Sequence, residues 1–250
     1  MTEQIKVELL ETMGSDRSIA ESAWTSSLTL QAKEKRTQED IERVVKMLIE
    51  QKHATPIESV IFKFWIKLPI ATDRQHMTHR IQSSNGLSGR YRTMPTEFYS
   101  IPEDVWDISE KIKFEKEVQL VDKLGNNKGI SRCPDYDDLQ AVYFNTCEIA
   151  NQNYTHCMAL AKEAENNNII TNKEYKRFRE FYRGILPLHN MTERVTIINL
   201  RSFSNYFKLR ADSHAQPEIQ IIAKLMLNKI EESNICPIAI KYLKENKWDI

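Results

Sequence analysis

Between residues 74 and 92 the chain reads RQHMTHRIQSSNGLSGRYR, which gathers Arg74, His76, His79, Arg80, Arg90 and Arg92 around Ser83, Ser84, Asn85 and Ser88. Positive or proton-bearing side chains at that density, with Gly86 and Gly89 letting backbone N–H groups approach closely, are suited to a small anion. If residues 71–80 are helical, Gln75 and His79 lie one turn apart on one face, as do His76 and Arg80. A solvated basic loop is the competing reading. The serines, Asn85 and the apolar run SVIFKFWIKLPI at 59–70 favour a nucleotide or phosphate site. Neither G-x-G-x-x-G nor G-x-x-x-x-G-K-[ST] occurs, so a phosphate-bearing ligand would not be held by a Rossmann turn or a P-loop.

The rest of the chain offers anions no general attraction. Thirty-five Lys and Arg balance thirty-five Asp and Glu, which argues against a nucleic-acid partner held by counterion release. A hydrophobic content of 41% over 250 residues is enough for a core, as one large domain or two small ones. The start, MTEQIKVELLETMG, has no basic region followed by an apolar run. No segment reaches the roughly 18 uninterrupted apolar residues of a membrane span, so the expectation is a cytoplasmic protein with no membrane partner. Cys133, Cys147, Cys157 and Cys236 form no C-x-x-C pair and read as buried thiols in a reducing compartment, not as a zinc site or a disulfide framework.

The elements that must position the 74–92 stretch follow from period. Residues 5–13 read as a strand, followed by a Gly-Ser-Asp turn and a short helix at 17–24. Residues 37–51 read as a helix, with Thr37 and Asp40 in a capping pattern and Ile41, Val44, Val45 and Leu48 in one stripe. The run 59–70 reads as a strand, a buried helix being the alternative that period leaves open. From Pro134 an amphipathic pattern predicts a long helix ended by the Asn run 166–168; helices are also expected at 172–186, 201–212 and 215–233, and a strand at 191–200. The segment 100–132 is the most loop-like and reads as an insertion in a single domain spanning 1–250. The mix is α+β without repeats.

The stretch RQHMTHRIQSSNGLSGRY at 74–91 resembles the signature of the flavin-dependent thymidylate synthases: an Arg-His-Arg triplet, seven residues, then Ser, continuing to Arg-Tyr. Here the triplet reads Thr78-His79-Arg80, and Ser88, Arg90 and Tyr91 fall where the pattern requires them. The resemblance extends in the family's order through 13–27, HATPIES at 53–59, RGILPL at 183–188 and 199–220. It implies an α/β fold built on a largely antiparallel sheet flanked by helices. It also implies a homotetramer in which FAD, dUMP and a folate meet where subunits join. Carried over by position, Ser26, Thr55, Glu58, His79, Arg80, Ile81, Asn199, Arg201, Asn205, Leu209 and His214 become flavin contacts. Gln75, Ser88, Gly89, Arg90, Arg183 and Arg210 become dUMP contacts, with Arg90 reaching a neighbouring subunit's site; His53 and Tyr91 fall near the folate or the flavin entrance.

Each of these roles has a chemical reason. A phosphate needs fixed charge and backbone donors, which Ser88, Gly89 and Arg90 offer in sequence and to which Arg183 adds a cation. A guanidinium on a ring carbonyl, here assigned to Arg210, would stabilise charge building at the pyrimidine C5. The hydride comes from flavin, so no protein nucleophile is needed, and no cysteine lies in the Pro-Cys-His context of the other route to thymidylate. Three departures remove charge: Thr78 and Trp24 stand where arginine is common, and Gly86 where glutamate is common. His76 and Arg74 are the expected compensators, and weaker FAD binding is the expected cost of Thr78. The resulting expectation is methylation of dUMP to dTMP with methylenetetrahydrofolate, FAD and NADPH. The rivals are a sister enzyme with a changed acceptor or product (dCMP, or hydroxymethylation at C5) and a silent flavin- or nucleotide-binding relative.

Overall fold

A computed structural model describes residues 4–133 and 136–250. In chain order its elements are β1 (Lys6–Met13), α1 (Asp16–Trp24), α2 (Leu30–Glu34), α3 (Gln38–Glu50), β2 (Ile61–Pro69), α4 (Ile70–Met77), β3 (Ser83–Gly86), α5 (Glu103–Lys111), β4 (Glu117–Val121) and β5 (Asn127–Arg132). They continue with α6 (Leu139–Asn166), α7 (Asn172–Tyr182), β6 (Met191–Asn199), α8 (Leu200–Arg210), α9 (Pro217–Ser233) and α10 (Pro237–Glu245). By internal contacts the chain gathers into two compact units, one of the residues up to Leu87 with Met191–Ile250, the other Ser88–Asn190.

The first unit is built on a four-stranded antiparallel sheet in the order β1-β2-β6-β3. Alternation along β2 puts Phe62, Phe64, Ile66 and Leu68 on one wholly buried face and Lys63, Trp65 and Lys67 on the other, half-buried one. Each of the four core side chains contributes about 1.5–3 kcal/mol by leaving water. Helix α9 packs on β1, α8 and α4 pack on α9, and α1 and α10 pack on α3. Helix α3 opens with the expected capping box, in which Thr37 and Asp40 satisfy each other's backbone N–H groups. Gly14, at φ +88°, makes the turn from β1 into α1, and a Cβ there would overlap the Ser59 carbonyl oxygen.

Where the structure differs from the sequence reading, the missing signal is one that local sequence does not carry. Helix α10 has no local side-chain cap; its first-turn N–H groups at Ile238 and Ala239 instead donate to the Asp16 carboxylate at 3.0 and 2.8 Å, across more than two hundred residues of chain. Strand β3, Ser-Ser-Asn-Gly, has no apolar alternation and is made a strand by its register with β6. Helix α4 stops at Met77, one turn earlier than 71–80 requires, because the Thr78 hydroxyl donates to the Gln75 carbonyl and closes the end; His79 and Arg80 lie past it and share no helical face with Gln75 and His76.

The second unit carries the long helix α6 and α7, which starts with its own capping box at Thr171 and Glu174. Buried Asn151 on α6 and Asn190 bond each other and the carbonyls of Thr96 and Pro95. The expected loop at 100–132 instead holds helix α5 and an exposed hairpin of β4 and β5, whose alternation is too weakly apolar to mark strands. Pro134, where the long helix was expected to begin, lies outside the described residues. Among the described residues no helix is long and apolar enough to cross a membrane.

Candidate active site

In the first unit, Glu58, Ile81, Asn199, Arg201, Ser202 and Asn205 line a cavity of about 200 Å³, together with Ile250. Five of these residues are expected flavin contacts. Asn199 caps α8, its side-chain oxygen accepting from Ser202 N at 2.8 Å, and Leu200 N donates to Val60 O at 2.8 Å, so two N–H groups of the first helical turn are already paired. Arg201 reaches Glu58 at 2.5 Å across the cavity wall. The Ser202 hydroxyl donates to Ile81 O at 2.5 Å, and His79 Nε2 meets the same hydroxyl at 2.9 Å, which leaves the His79 ring buried behind the wall.

The remaining flavin-assigned residues are spread around the same unit. Thr55 and His53 line a separate hollow of about 290 Å³ with Ala23, Met47, Leu48 and Pro56. Ser26 is exposed and its hydroxyl donates to Ala23 O at 3.1 Å. Arg80 and Leu209 are exposed, and His214 is turned to Asp212 at 2.8 Å. Trp24, which stands where the family commonly has arginine, is buried with the Arg36 guanidinium 5.8 Å from its ring centroid.

His76 corrects one expectation: it carries no charge with which to compensate Thr78. The ring has no exposed surface and is held between the Tyr206 hydroxyl at 2.9 Å and Thr196 Oγ1 at 3.1 Å. Burial, followed by the charges of Arg194, His79 and Arg210, lowers its pKa from 6.5 to about 3. The folded pKa lies below the unfolded one. Above pH 6.5 both states are neutral and the residue has no effect; as pH falls from 6.5 towards 3 the unfolded chain takes up a proton that the folded chain refuses, and stability is lost. The expected slope from this residue is about 1.4 kcal/mol per pH unit. Urea melts at pH 7.5 and 5 should therefore differ more for the wild type than for His76→Gln, and equal differences would refute the assignment.

Gln75, Thr78 and Arg210 come together in the same unit. The Thr78 hydroxyl donates to Gln75 O at 2.7 Å and accepts from an Arg210 terminal nitrogen at 2.9 Å. Gln75 Oε1 and Arg210 Nε are both buried without a hydrogen-bond partner. A buried acceptor and a buried donor left unpaired are costly, and they suit a polar ligand edge that would satisfy them.

In the second unit, Ser88, Gly89, Arg90 and Tyr91 form a tight loop in which Tyr91 N donates to Ser88 O at 3.1 Å. A Cβ on Gly89 would stand 2.8 Å from Arg183 Cδ, so glycine is what allows the Arg183 stem to lie against the loop. Arg90 Nε donates to Glu180 at 2.6 Å, and Tyr91 is 78% exposed. Sequence reasoning missed the group that holds this loop. Arg179, buried on α7, donates to the carbonyls of Arg90 at 2.8 Å and Tyr91 at 3.4 Å, with its guanidinium over the Tyr175 ring. The available signal was its spacing: Arg179 is one turn before Arg183 and shares its helix face.

Of the four thiols expected to be buried, Cys147 and Cys236 are, while Cys133 and Cys157 are only half-buried. Burial pushes the Cys147 and Cys236 thiols up, away from the thiolate form. Among the described residues no group of three or more His, Cys, Asp or Glu could hold a metal ion.

The family model described as Thymidylate synthase complementing protein matches residues 8–238. A flavin-dependent thymidylate synthase from Kosmotoga olearia is 36% identical over 236 residues, 93% of this chain and 86% of the relative. Another, from Thermotoga neapolitana, is 31% identical over 227 residues, 89% of this chain and 86% of its own length. Among solved structures, the UMP/dUMP methylase PolB from Streptomyces cacaoi bound with 5-Br UMP has the same fold, with a TM-score of 0.66 and 22% identity over 98% of this chain and 95% of that one.

Proposed function

Since the chain belongs to the flavin-dependent thymidylate synthase family, we propose that it methylates dUMP to dTMP, with methylenetetrahydrofolate as carbon donor, FAD as redox carrier and NADPH as reductant. The observation that carries this reading is the convergence of Glu58, Ile81, Asn199, Arg201 and Asn205, from distant stretches of sequence, on one cavity. A space of about 200 Å³ takes a portion of FAD. The Arg201 guanidinium suits its polar and anionic groups, and Ile81 its apolar ones. Ser26, Thr55, His79, Arg80, Leu209 and His214 are assigned to the rest of the cofactor. FAD, when bound, supplies the hydride.

The chain's own residues hold and polarise. Arg210 Nε is the donor we assign to a pyrimidine carbonyl, where its charge stabilises electron density building on the ring, and Gln75 Oε1 is the matching acceptor. The phosphate is assigned to the Ser88 hydroxyl, the Gly89 N–H, Arg90 and Arg183. His53 and Tyr91 are assigned to the folate side. The assembly is a cytoplasmic homotetramer with sites shared between subunits, in which 1–250 acts as one domain.

The test is incubation of the purified protein with FAD, NADPH, methylenetetrahydrofolate and, separately, dUMP, UMP or dCMP, followed by mass analysis of the base. Methyl gain on dUMP is the expected result. Gain on another nucleotide, or a hydroxymethyl product, would point to the sister enzyme, and bound flavin without product to a silent relative. Failure to take up FAD would remove the enzyme reading.

A further inference from the structure

We propose that Thr78 is a positioning residue whose hydroxyl sets the orientation of the Arg210 guanidinium. Thr78 caps the end of α4, and its hydroxyl proton is committed to Gln75 O at 2.7 Å, which fixes where the oxygen's lone pairs point. A terminal nitrogen of Arg210, the last residue of α8, donates to that oxygen at 2.9 Å. A guanidinium is a rigid plane of five donors, so anchoring one N–H and the stem together orients the whole fork. The rest of that fork includes Nε, which is buried and unpartnered. The same hydroxyl holds the backbone of Gln75, whose Oε1 is the other unpaired buried atom of the pair. One neutral side chain thus ties together the donor and the acceptor available to a ligand.

This gives Thr78 a different role from the one its sequence context suggests. An arginine at position 78 would remove the acceptor and set a second permanent cation beside Arg210. A threonine accepts without competing for an anion. The departure from the family pattern thereby gives Arg210 a neutral acceptor. What Arg210 touches rests on the proposed function; the bracket itself does not.

The two are tested separately. Thr78→Val keeps the shape and removes the hydroxyl, and Thr78→Ser keeps the hydroxyl; the site is exposed, so neither variant disturbs the core. With dUMP, Thr78→Val is expected to lower kcat by roughly 10- to 100-fold, with KM changed far less, the scale of a charge-assisted hydrogen bond lost to a reacting group. Thr78→Ser should stay within about threefold of wild type, as a retained hydroxyl predicts. In the ligand-free protein, the ¹⁵N resonance of the Arg210 Nε–H, assigned by its loss in Arg210→Lys, should be shared by wild type and Thr78→Ser. In Thr78→Val it should move towards the position of a free arginine. An unmoved resonance in Thr78→Val, or a Thr78→Ser variant as slow as Thr78→Val, would overturn the proposal. A wild type that binds no FAD and turns over no nucleotide would overturn the functional reading, and the resonance would still decide for or against the bracket.

Discussion

Arg210→Ala is expected to lower turnover by roughly a hundredfold or more, the scale of a lost donor at developing charge. Arg183→Ala is expected to act on nucleotide affinity instead, costing about 1.5–3 kcal/mol for a charge-assisted hydrogen bond. The structural contrast between the two arginines is the reason. Arg210 is held by a neutral hydroxyl, keeps Nε buried and unpaired, and sits near His76 and His79, whose pKa values burial lowers. A donor already fixed in place needs no reorganisation when charge appears on its partner, which is the basis of electrostatic stabilisation. Arg183 is exposed at the end of α7, with its stem against Gly89. In the proposed site it adds charge to a phosphate assigned to Ser88, Gly89 and Arg90 and makes no contact with the reacting ring. Steady-state kinetics with dUMP, together with equilibrium binding of dUMP, separate the two effects. Flavin content and a thermal melt of each variant show that it is assembled. Equal losses confined to affinity in both variants would refute the division of roles.

The parts of this protein legible in the sequence are those whose signals are local. The stripe of α3 and the long amphipathic run of α6 state their own period and are helical over Gln38–Glu50 and Leu139–Asn166, while the 59–70 run, which period left open between strand and buried helix, is the strand β2. Strand β3 and helix α10 were invisible because their partners are remote: β6 supplies the register of one, and Asp16 caps the other. The site divides the same way. The 74–92 stretch reads as an anion site through charge and glycine, but charge density cannot tell a ligand group from a structural one. His76 is a neutral core residue, Arg179 is a backbone clamp, and Thr78 is an acceptor for Arg210. Each of those roles is decided by burial and by one partner far along the chain.

Asp73→Ala is expected to destabilise the folded protein by about 3–5 kcal/mol, the cost of stranding a buried cation. Asp73 on α4 and Arg194 on β6 are 6% and 9% exposed and meet in a two-pronged pair, Nε to Oδ1 and a terminal nitrogen to Oδ2, the latter at 2.6 Å. The third nitrogen of the fork donates to Ser84 on β3 at 2.8 Å, so the pair also fastens the motif strand to the sheet. Gly86 completes the arrangement. A Cβ at that position would stand 3.0 Å from an Arg194 terminal nitrogen, so glycine lets the guanidinium lie against the strand. Removing Asp73 alone leaves the guanidinium desolvated with only a hydroxyl to answer it. Replacing both partners, as Asp73→Ala with Arg194→Met, removes the stranded charge and should recover much of the loss, because a buried ion pair is worth little against well-packed apolar groups even though either half alone is costly. Denaturant melts of the wild type, the single variant and the double variant decide the matter. A single-variant loss under about 1 kcal/mol, the range of a surface pair, would mean that water reaches the pair and that it does not anchor β3.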